Sequence, residues 1–486
     1  MGVEEARGEA TAGAPRAALT ARWFFIGLAV AAVVGLVIRV LYVDHVAAHH
    51  FLPFDGQYTH DVANGFADGQ GWIDPHLLHA FGVHRQTAYF PPLFGFVLAI
   101  SSWLGADSVH AHQLVSCAIG VGSVLVAGFL GRSVFGPAAG VVAAALAAIH
   151  PLLFGSVGTL MAEAMYIPMV GLVVLATYWA RRSPSYLSFS TFGTLAGLAA
   201  LTRSDGLGLV VVLGVPLVLG VRRSARAPDA GATSTSGASS GASSGASSDS
   251  DSDSDSGSGS SARSGRSAWK LSAVGLLALF VVLAPWSIRN ALTFSTPVMI
   301  SNNSGTLITG SNCAITYYGS EQGRWDLHCP DVADNDPDES VVNAHRRNLG
   351  FKYALHHVTR LPYITVLRVA RTWVPPSSNT QSRFDVAEGR DAHWQWLGQL
   401  LYVAGLPFAI AGVFVLRRRG VAVWPLLGTV VLVCLVSATG YGSQRFRAAA
   451  EIPLIVLTAV GLVAAVSAGW RKLSMKPSRA VDPAAS

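Results

Sequence analysis

Long apolar segments recur along this chain, and they constrain its fold more than any other feature. The 486 residues are 51% hydrophobic and only 13% charged, whereas charged residues make up about a quarter of an ordinary soluble protein. About 18 or more apolar residues in a row are enough to cross a bilayer. The sequence therefore predicts an all-α polytopic membrane protein. The net charge of +6 does not indicate a nucleic-acid partner, because the basic residues cluster at span ends, where they set orientation.

About ten membrane spans are predicted, and the basic clusters orient them. Residues 93–104 are too short to cross and are expected to form an interfacial helix. If they do not cross, the arginine clusters between spans all fall on one side, which the positive-inside rule assigns to the cytoplasm. Both termini are then cytoplasmic, and the first loop faces outward. The spans are residues 23–43, 109–130, 137–155, 159–180, 187–201, 206–221, 271–288, 395–416, 422–439 and 448–468.

Composition also divides the chain into segments. A stretch rich in Ser, Gly and Asp cannot bury enough apolar surface to offset its chain entropy, and it predicts a disordered cytoplasmic linker. The predicted segments are a cytoplasmic tail (1–22), an N-terminal transmembrane module (23–224) with its first outer loop (44–92), the linker (225–268), a transmembrane helix (269–290), an extracytoplasmic segment (291–393), C-terminal transmembrane helices (394–470) and a second cytoplasmic tail (471–486).

The first outer loop holds two carboxylates just beyond a span, Asp55 and Asp61. A carboxylate in that place can take a proton from a bound hydroxyl group when its surroundings tune its basicity. The alternative is a solvated acidic loop, and for Asp61 a helix-capping role is an equal alternative.

Further charged residues lie at the outward ends of predicted spans. Arginine matches the geometry of phosphate oxygens, so several of them facing a carboxylate loop indicate an anionic headgroup and transfer of a group from a lipid phosphate. The alternative for any one of them is a side chain that merely reaches the interface. These residues are Glu163, Arg203, Arg289, Arg445 and Arg447.

The four cysteines fall into two pairs. Cys117 and Cys434 lie in spans and are expected to be core residues. Cys313 and Cys329 are the two on the oxidising side, 16 positions apart, and we expect them to form a disulfide, with two free thiols as the alternative. The first loop is rich in histidine, yet the spacings match no defined metal site. No cofactor is required by the sequence, and a divalent metal stays open as an alternative.

Several short motifs follow one another in a fixed order along the chain. They are Phe54-Asp55-Gly56, Ala67-Asp68-Gly69-Gln70-Gly71-Trp72, Tyr89-Phe90-Pro91-Pro92-Leu93, Leu160-Met161-Ala162-Glu163, Leu201-Thr202-Arg203, Pro285-Trp286-Ser287-Ile288-Arg289 and Gly440-Tyr441-Gly442-Ser443-Gln444-Arg445-Phe446-Arg447. Their order resembles that of the GT-C polyprenyl-phosphate-dependent glycosyltransferases. The likeness is greatest to the family 39 type, which includes protein mannosyltransferases and the lipid A aminoarabinose transferase, and within it to an actinobacterial branch. It covers most of the chain except the termini and the linker.

The resemblance implies roles for the charged residues. Asp55 would activate an acceptor hydroxyl for inverting attack on a sugar held by a polyprenyl phosphate, and Glu163 would support it. Arg203, Arg289, Arg445 and Arg447 would stabilise the leaving phosphate. This chain has Asp55-Gly56 where the family commonly has Asp-Glu, and Asp61 is the candidate to replace the missing acid.

Two other functions compete with a plasma-membrane glycosyltransferase. One is a transporter or flippase for a lipid-linked or anionic solute, although transporters usually keep ionisable groups near the membrane midplane. The other is a non-catalytic partner in envelope assembly. The sequence does not identify the sugar, the carrier length, the oligomeric state or the acceptor, which is a glycan, a lipid or a protein.

Overall fold

The computed structural model describes residues 2–224, 256–329, 336–374, 386 and 388–474. Over these residues the regular secondary structure is helical, apart from an isolated antiparallel β-bridge between Ile73 and Gln86. The α-helices are α1 (Gly2–His45), α2 (Phe54–Ala67), α3 (Pro75–Phe81), α4 (Leu93–Trp103), α5 (Val109–Phe135), α6 (Pro137–Ile149), α7 (Pro151–Phe154), α8 (Glu163–Arg182), α9 (Tyr186–Thr202), α10 (Val215–Ser224), α11 (Ser256–Thr293), α12 (Ser304–Ser311), α13 (Ala314–Tyr317), α14 (Glu339–His356), α15 (Leu361–Trp373), α16 (Ala392–Arg418), α17 (Trp424–Thr439) and α18 (Ala448–Ser474).

Among the described residues, seven helical stretches are long and apolar enough to cross a membrane. Three predicted spans correspond instead to shorter apolar helices, α6, α9 and α17, with 13, 17 and 16 residues. The predicted number of about ten therefore remains a prediction. The seven stretches are Ala21–His49, Val109–Phe135, Glu163–Arg182, Ser204–Arg223, Ala268–Thr293, Ala392–Arg418 and Gln444–Trp470.

The predicted spans at 137–155 and 159–180 are interrupted by an irregular stretch. Helix α6 stops at Ile149 before Pro151, and α8 begins only at Glu163. Proline disfavours helical geometry in the residue before it, which explains the end of α6. Between these helices Leu160 has a φ of 51°, a value that non-glycine residues rarely adopt. This stretch matters because it ends directly at Glu163.

Small side chains allow the helices of the core to approach closely. Helix α6 presents a stripe of fully buried alanines to α1 and α5. Membrane helices associate through such small residues, since lipid chains are as apolar as leucine and the packing must be tight to be favourable. The same core continues through α8 and α18, so the charged residues at the ends of these helices are held on a rigid frame. The alanines are Ala139, Ala143, Ala144, Ala147 and Ala148.

Two polar segments and one turn gather at one end of the bundle. The first loop meets the 294–374 segment where Asn302 N donates to Ala88 O at 2.7 Å. The turn before α18 joins the same segment where Gly442 N donates to Gly323 O at 2.8 Å. These contacts place the part of the first loop around Ala88, the 294–374 segment and the 440–447 turn around a common region.

Helices extend into three regions predicted to be tails or linker. Helix α1 begins at Gly2, within the predicted tail 1–22, and α11 begins at Ser256, within the predicted linker 225–268. Helix α18 runs to Ser474, within the first residues of the predicted second tail. Residues 225–255 of the predicted linker and residues 475–486 of the second tail lie outside the described residues. Adding a turn to an existing helix costs much less than starting one, which explains these extensions.

Candidate active site

Glu163 lies at the centre of a buried ion-pair cluster. It is the first residue of α8, and its side chain is 2% exposed. Arg203 Nη1 lies 2.5 Å from Glu163 Oε1, and Arg445 Nε binds the same oxygen. A buried carboxylate is tolerated only where partner charges and hydrogen bonds offset its lost hydration. Two arginines from distant parts of the chain therefore converge on one acid.

Asp55 joins this cluster through Arg445. The second residue of α2, it accepts from Arg445 Nη1 at 2.7 Å through Oδ2, and its side chain is 25% exposed. Arg445 thus links the buried Glu163 to the more exposed Asp55. A carboxylate fixed in this way has a defined orientation and still reaches solvent, which is what a general base needs.

Arg203 is held by ion pairs and by a contact with an aromatic ring. It follows α9, pairs with Asp205 at 3.1 Å through Nε, and lies 5.4 Å from the centre of the Tyr166 ring. Burial disfavours its charge, but Asp205 and Glu163 outweigh burial and raise the pKa of the Arg203 guanidinium above its ordinary value. Arg203 is therefore a fixed positive charge beside Glu163.

The sequence analysis missed four residues of the site, which are Glu388, Tyr441, Asp205 and Arg390. Glu388 Oε1 lies 3.7 Å from Arg445 Nη1, and Arg390 Nε lies 3.9 Å from Glu388 Oε2. Burial and the Glu388 carboxylate raise the pKa of the Tyr441 hydroxyl, so this phenol is neutral. Tyr441 lies in a motif that the resemblance included, but nothing in its sequence context assigns it a role. Glu388 lies in a polar segment where charged residues are ordinary.

The structure explains why position 56 carries no second acid. A β-carbon at Gly56 would stand 2.0 Å from the backbone oxygen of Thr159, far inside contact distance. Helix α2 therefore packs directly on the irregular stretch before Glu163. This close approach brings Asp55 and Glu163 onto one arginine.

Asp61 lies apart from the cluster. It is six residues beyond Asp55 on α2, which places it about 9 Å further along the helix and on a different face. It accepts from Gln57 Nε2 at 2.8 Å, and His79 lies 4.0 Å away. The structure thus gives Asp61 contacts within the first loop and none to Arg203 or Arg445.

Arg289 and Arg447 also lie elsewhere. Arg289 donates to the backbone oxygens of Thr87 at 2.8 Å and Trp72 at 3.1 Å, so it connects α11 to the first loop. Arg447 is fully buried and pairs with Glu451 at 3.0 Å. Of the four arginines singled out from the sequence, the structure brings two to the carboxylates.

Two of the four cysteines are bonded to each other. Cys313 and Cys329 form a disulfide with their Cα atoms 5.7 Å apart, and Cys117 and Cys434 are free. Within the described part of the chain, no three His, Cys, Asp or Glu residues are grouped so that they could hold a metal ion.

The cluster combines two chemical capacities. Asp55 is a partly exposed carboxylate, and Arg203 and Arg445 are donors fixed in a region sheltered from water. Donors fixed before the reaction stabilise developing negative charge without reorganising during it. The arrangement suits proton removal beside the departure of an anionic group.

Part of the chain matches a known family by sequence. Residues 90–231 match the family described as dolichyl-phosphate-mannose-protein mannosyltransferase. This range contains Glu163 and Arg203 and excludes Asp55 and Arg445. No curated protein is similar enough in sequence to match the chain.

Similar solved structures include proteins from two organisms. The Archaeoglobus fulgidus oligosaccharyltransferase tethered to an acceptor peptide has a TM-score of 0.52 at 14% identity, over 93% of this chain and 51% of that one. AglB from the same archaeon, in complex with an inhibitory peptide and a dolichol-phosphate, has a TM-score of 0.50 at 12% identity, over 95% and 53%. ArnT from Cupriavidus metallidurans bound to undecaprenyl phosphate has a TM-score of 0.41 at 14% identity, over 94% and 81%.

The present chain spans about half the length of the archaeal structures, 51% and 53%. The match to these two structures extends over more than nine-tenths of this chain. The chain therefore has the GT-C fold, and its residues 90–231 carry the sequence pattern of the dolichyl-phosphate-mannose-protein mannosyltransferase family.

Proposed function

We propose that this protein is a membrane glycosyltransferase that moves a sugar from a polyprenyl-phosphate donor to an acceptor hydroxyl. The observation that carries the proposal is the bridge formed by Arg445 between Asp55 and Glu163. The family match over residues 90–231 and the GT-C fold support it, as does the dolichol-phosphate bound by AglB. The acceptor hydroxyl belongs to a glycan, a lipid or a protein.

The chemistry is one displacement at the anomeric carbon. The acceptor oxygen forms a bond to that carbon while Asp55 takes the hydroxyl proton. The bond from the carbon to the phosphate oxygen breaks, and its electron pair leaves with the phosphate. Because attack and departure take place on opposite faces, the product has inverted configuration.

The arginines serve the leaving group. Arg203 and Arg445 are two fixed cations, and arginine donors match phosphate oxygens in geometry. Glu163, held by both, keeps the two guanidinium groups in place while substrates change. Its role is positional, and a displacement of about 1 Å in such a group is enough to slow a reaction about a hundredfold.

The reaction takes place at the outer face of the plasma membrane in this proposal. The arginine pairs and triplet at the opposite ends of the helices mark the cytoplasmic side by the positive-inside rule. Both termini are then cytoplasmic, and Asp55, Arg203 and Arg445 lie at the extracytoplasmic ends of the spans.

The proposal is tested with purified protein in liposomes and a panel of synthetic polyprenyl-phosphate sugars carrying a labelled sugar. A new glycosidic product formed by the wild type supports it. Label that crosses the bilayer without a new glycosidic bond overturns it in favour of a flippase.

A further inference from the structure

A groove lies where α17 packs against the stretch Ser204–Arg223. Its volume is about 600 Å³, which is within the range of ordinary ligand pockets. The mouth of the groove is at Arg417, near the end of α16 and about 38 Å along that helix from Ala392. Because Ala392 follows the segment that contains Glu388, the groove is at the opposite end of the helix bundle from the Glu163 cluster.

The floor of the groove is apolar and is set by a close approach of two backbones. A β-carbon at Gly428 of α17 would stand 2.8 Å from Leu213 Cδ2, so larger residues cannot fill this place. On the opposite wall the turn Val210–Gly214 has π-helical geometry. It lies before Pro216, which has no N–H to donate to the carbonyl oxygen of Val212. Single π-type turns within helices are frequent at functional positions.

The groove opens on the side surface of the bundle. Val431 lines it and is 50% exposed, and Val215, next to Pro216 of the opposite wall, is 51% exposed. Apolar side chains exposed on a membrane-spanning helix are in contact with lipid chains. A hydrocarbon chain can therefore enter the groove directly from the bilayer.

Positive charge surrounds the mouth of the groove. Residues 206–224 and 410–440, which include both walls, contain five arginines and no Asp or Glu. The Arg417 side chain has no hydrogen bond or ion pair with another described residue, whereas Arg419 lies 3.9 Å from the centre of the Phe135 ring. Arg417 therefore has its full donor capacity for a ligand. The five arginines are Arg222, Arg223, Arg417, Arg418 and Arg419.

We propose that this groove binds an anionic phospholipid, with an acyl chain along the apolar floor and the phosphate at Arg417. The groove joins an apolar surface to positive charge without a neighbouring acid, which matches a molecule that joins a hydrocarbon chain to an anionic head group. Arginine donors fit phosphate oxygens. Basic pockets between membrane helices on the cytoplasmic side are typical sites for acidic lipid head groups. In the orientation proposed above, the Arg417 end faces the cytoplasm.

The two walls also lead to the arginines of the candidate active site. Ser204 directly follows Arg203, and the turn that contains Arg445 follows α17. A ligand that binds only the folded state stabilises it. A phospholipid between the walls is therefore expected to stabilise the packing of the two elements from which Arg203 and Arg445 extend.

The test is a lipid-binding measurement that involves no sugar transfer. Delipidated full-length protein is titrated in native mass spectrometry with phosphatidylglycerol and with phosphatidylcholine of the same acyl chains. The wild type is expected to bind one phosphatidylglycerol at least about fivefold more tightly than phosphatidylcholine. Arg417→Gln should weaken phosphatidylglycerol binding about tenfold, because it loses a hydrogen bond to a charged group. Arg418→Gln is the matched control, since it removes the same charge from a residue that does not line the groove.

A second pair of variants tests the groove without changing charge. Val431→Phe places a larger side chain in the groove and should weaken binding of phosphatidylglycerol about as much as Arg417→Gln does. Leu435→Phe is its control, because Leu435 is 52% exposed one turn further along α17 and does not line the groove. Its affinity should stay at that of the wild type.

The contrary outcomes are specific. Equal affinity of the wild type for the two lipids overturns the proposal, and so does unchanged binding by Arg417→Gln or by Val431→Phe. An equal loss in Arg418→Gln also overturns it, since the effect would then come from diffuse surface charge. Glycerol phosphate is added as a competitor without acyl chains, and displacement of the lipid at equal concentration overturns the assignment of the chain to the groove. Failure of the proposed sugar transfer would leave these results unaffected.

Discussion

The backbone oxygen of Thr159 lies where a side chain at position 56 would begin, 2.0 Å from the β-carbon that Gly56 lacks. This contact brings two acids to one arginine, Arg445. They are Asp55, the proposed base, which is next to Gly56, and Glu163, at the start of α8. The missing side chain is therefore a requirement of the site and not a loss of a second acid.

Gly56→Ala tests this packing. The added methyl group cannot fit against a backbone atom, so α2 must shift, and we expect at least a tenfold loss of transfer together with a lower unfolding temperature. Gly65→Ala is the control on the same helix, because the nearest atom to its β-carbon would be the mobile end of Gln70 at 3.3 Å. Alanine is also the better helix former by about 1 kcal/mol. Equal behaviour of the two variants would contradict the packing account.

Glu163→Gln tests the buried ion pairs. The substitution removes the negative charge that Arg203 and Arg445 share. Removing one partner of a buried ion pair lowers the free energy of unfolding by about 3–5 kcal/mol. Denaturant unfolding in detergent measures this loss. Glu321→Gln should cost less than Glu163→Gln, because Glu321 is 22% exposed and pairs with one arginine, Arg324. A Glu163→Gln variant as stable as the wild type would show that the cluster does not hold the helices together.

Glu339 makes the stability of the 294–374 segment sensitive to pH. Burial raises the pKa of its carboxyl to about 7 from an ordinary 4.5, against the opposing effects of Thr87 and Arg85. The folded protein therefore holds a proton that the unfolded chain releases, and the stability from this group falls as pH rises from about 4.5 through about 7. The fall is at most about 3 kcal/mol. Unfolding temperatures at pH 5 and pH 8 measure it.

Glu339→Gln should remove this dependence, so the variant gains on the wild type as pH rises. Asp338→Asn is the neighbouring control with the opposite sign. Burial alone would raise the pKa of Asp338, but hydrogen bonds from Ser295 and Ser340 outweigh burial and lower that pKa. The stability that the Asp338 carboxylate contributes is therefore lost as pH falls. An unchanged pH dependence in Glu339→Gln would contradict the buried acid.

Sequence reasoning identified much of the cluster because a charge at the end of an apolar segment is conspicuous. Asp55, Glu163, Arg203 and Arg445 all lie at such ends. The same signal marks Arg289 and Arg447, which lie outside the cluster. Arg289 binds a carbonyl oxygen of the first loop, and Arg447 binds Glu451. Position along a span does not reveal which way a side chain points or what it meets.

The remaining differences come from tertiary contacts. Glu388 lies far along the chain in a polar segment, and it reaches Arg445 only because its segment packs on Pro53. The apolar segments themselves were predicted near their observed positions. Their helix lengths depend on features such as Pro151 and Leu160, whose effect hydropathy does not capture.

The most direct test of the account compares sugar transfer by wild type, Asp55→Asn and Asp61→Asn in liposomes. Both substitutions replace a carboxylate of α2 by an amide of the same shape, and only Asp55 contacts Arg445. The account predicts that Asp55→Asn loses at least about a thousandfold in turnover, within the range of general-base catalysis, while Asp61→Asn stays within about threefold of the wild type. Transfer by Asp55→Asn at the rate of the wild type, or a greater loss in Asp61→Asn, would contradict it.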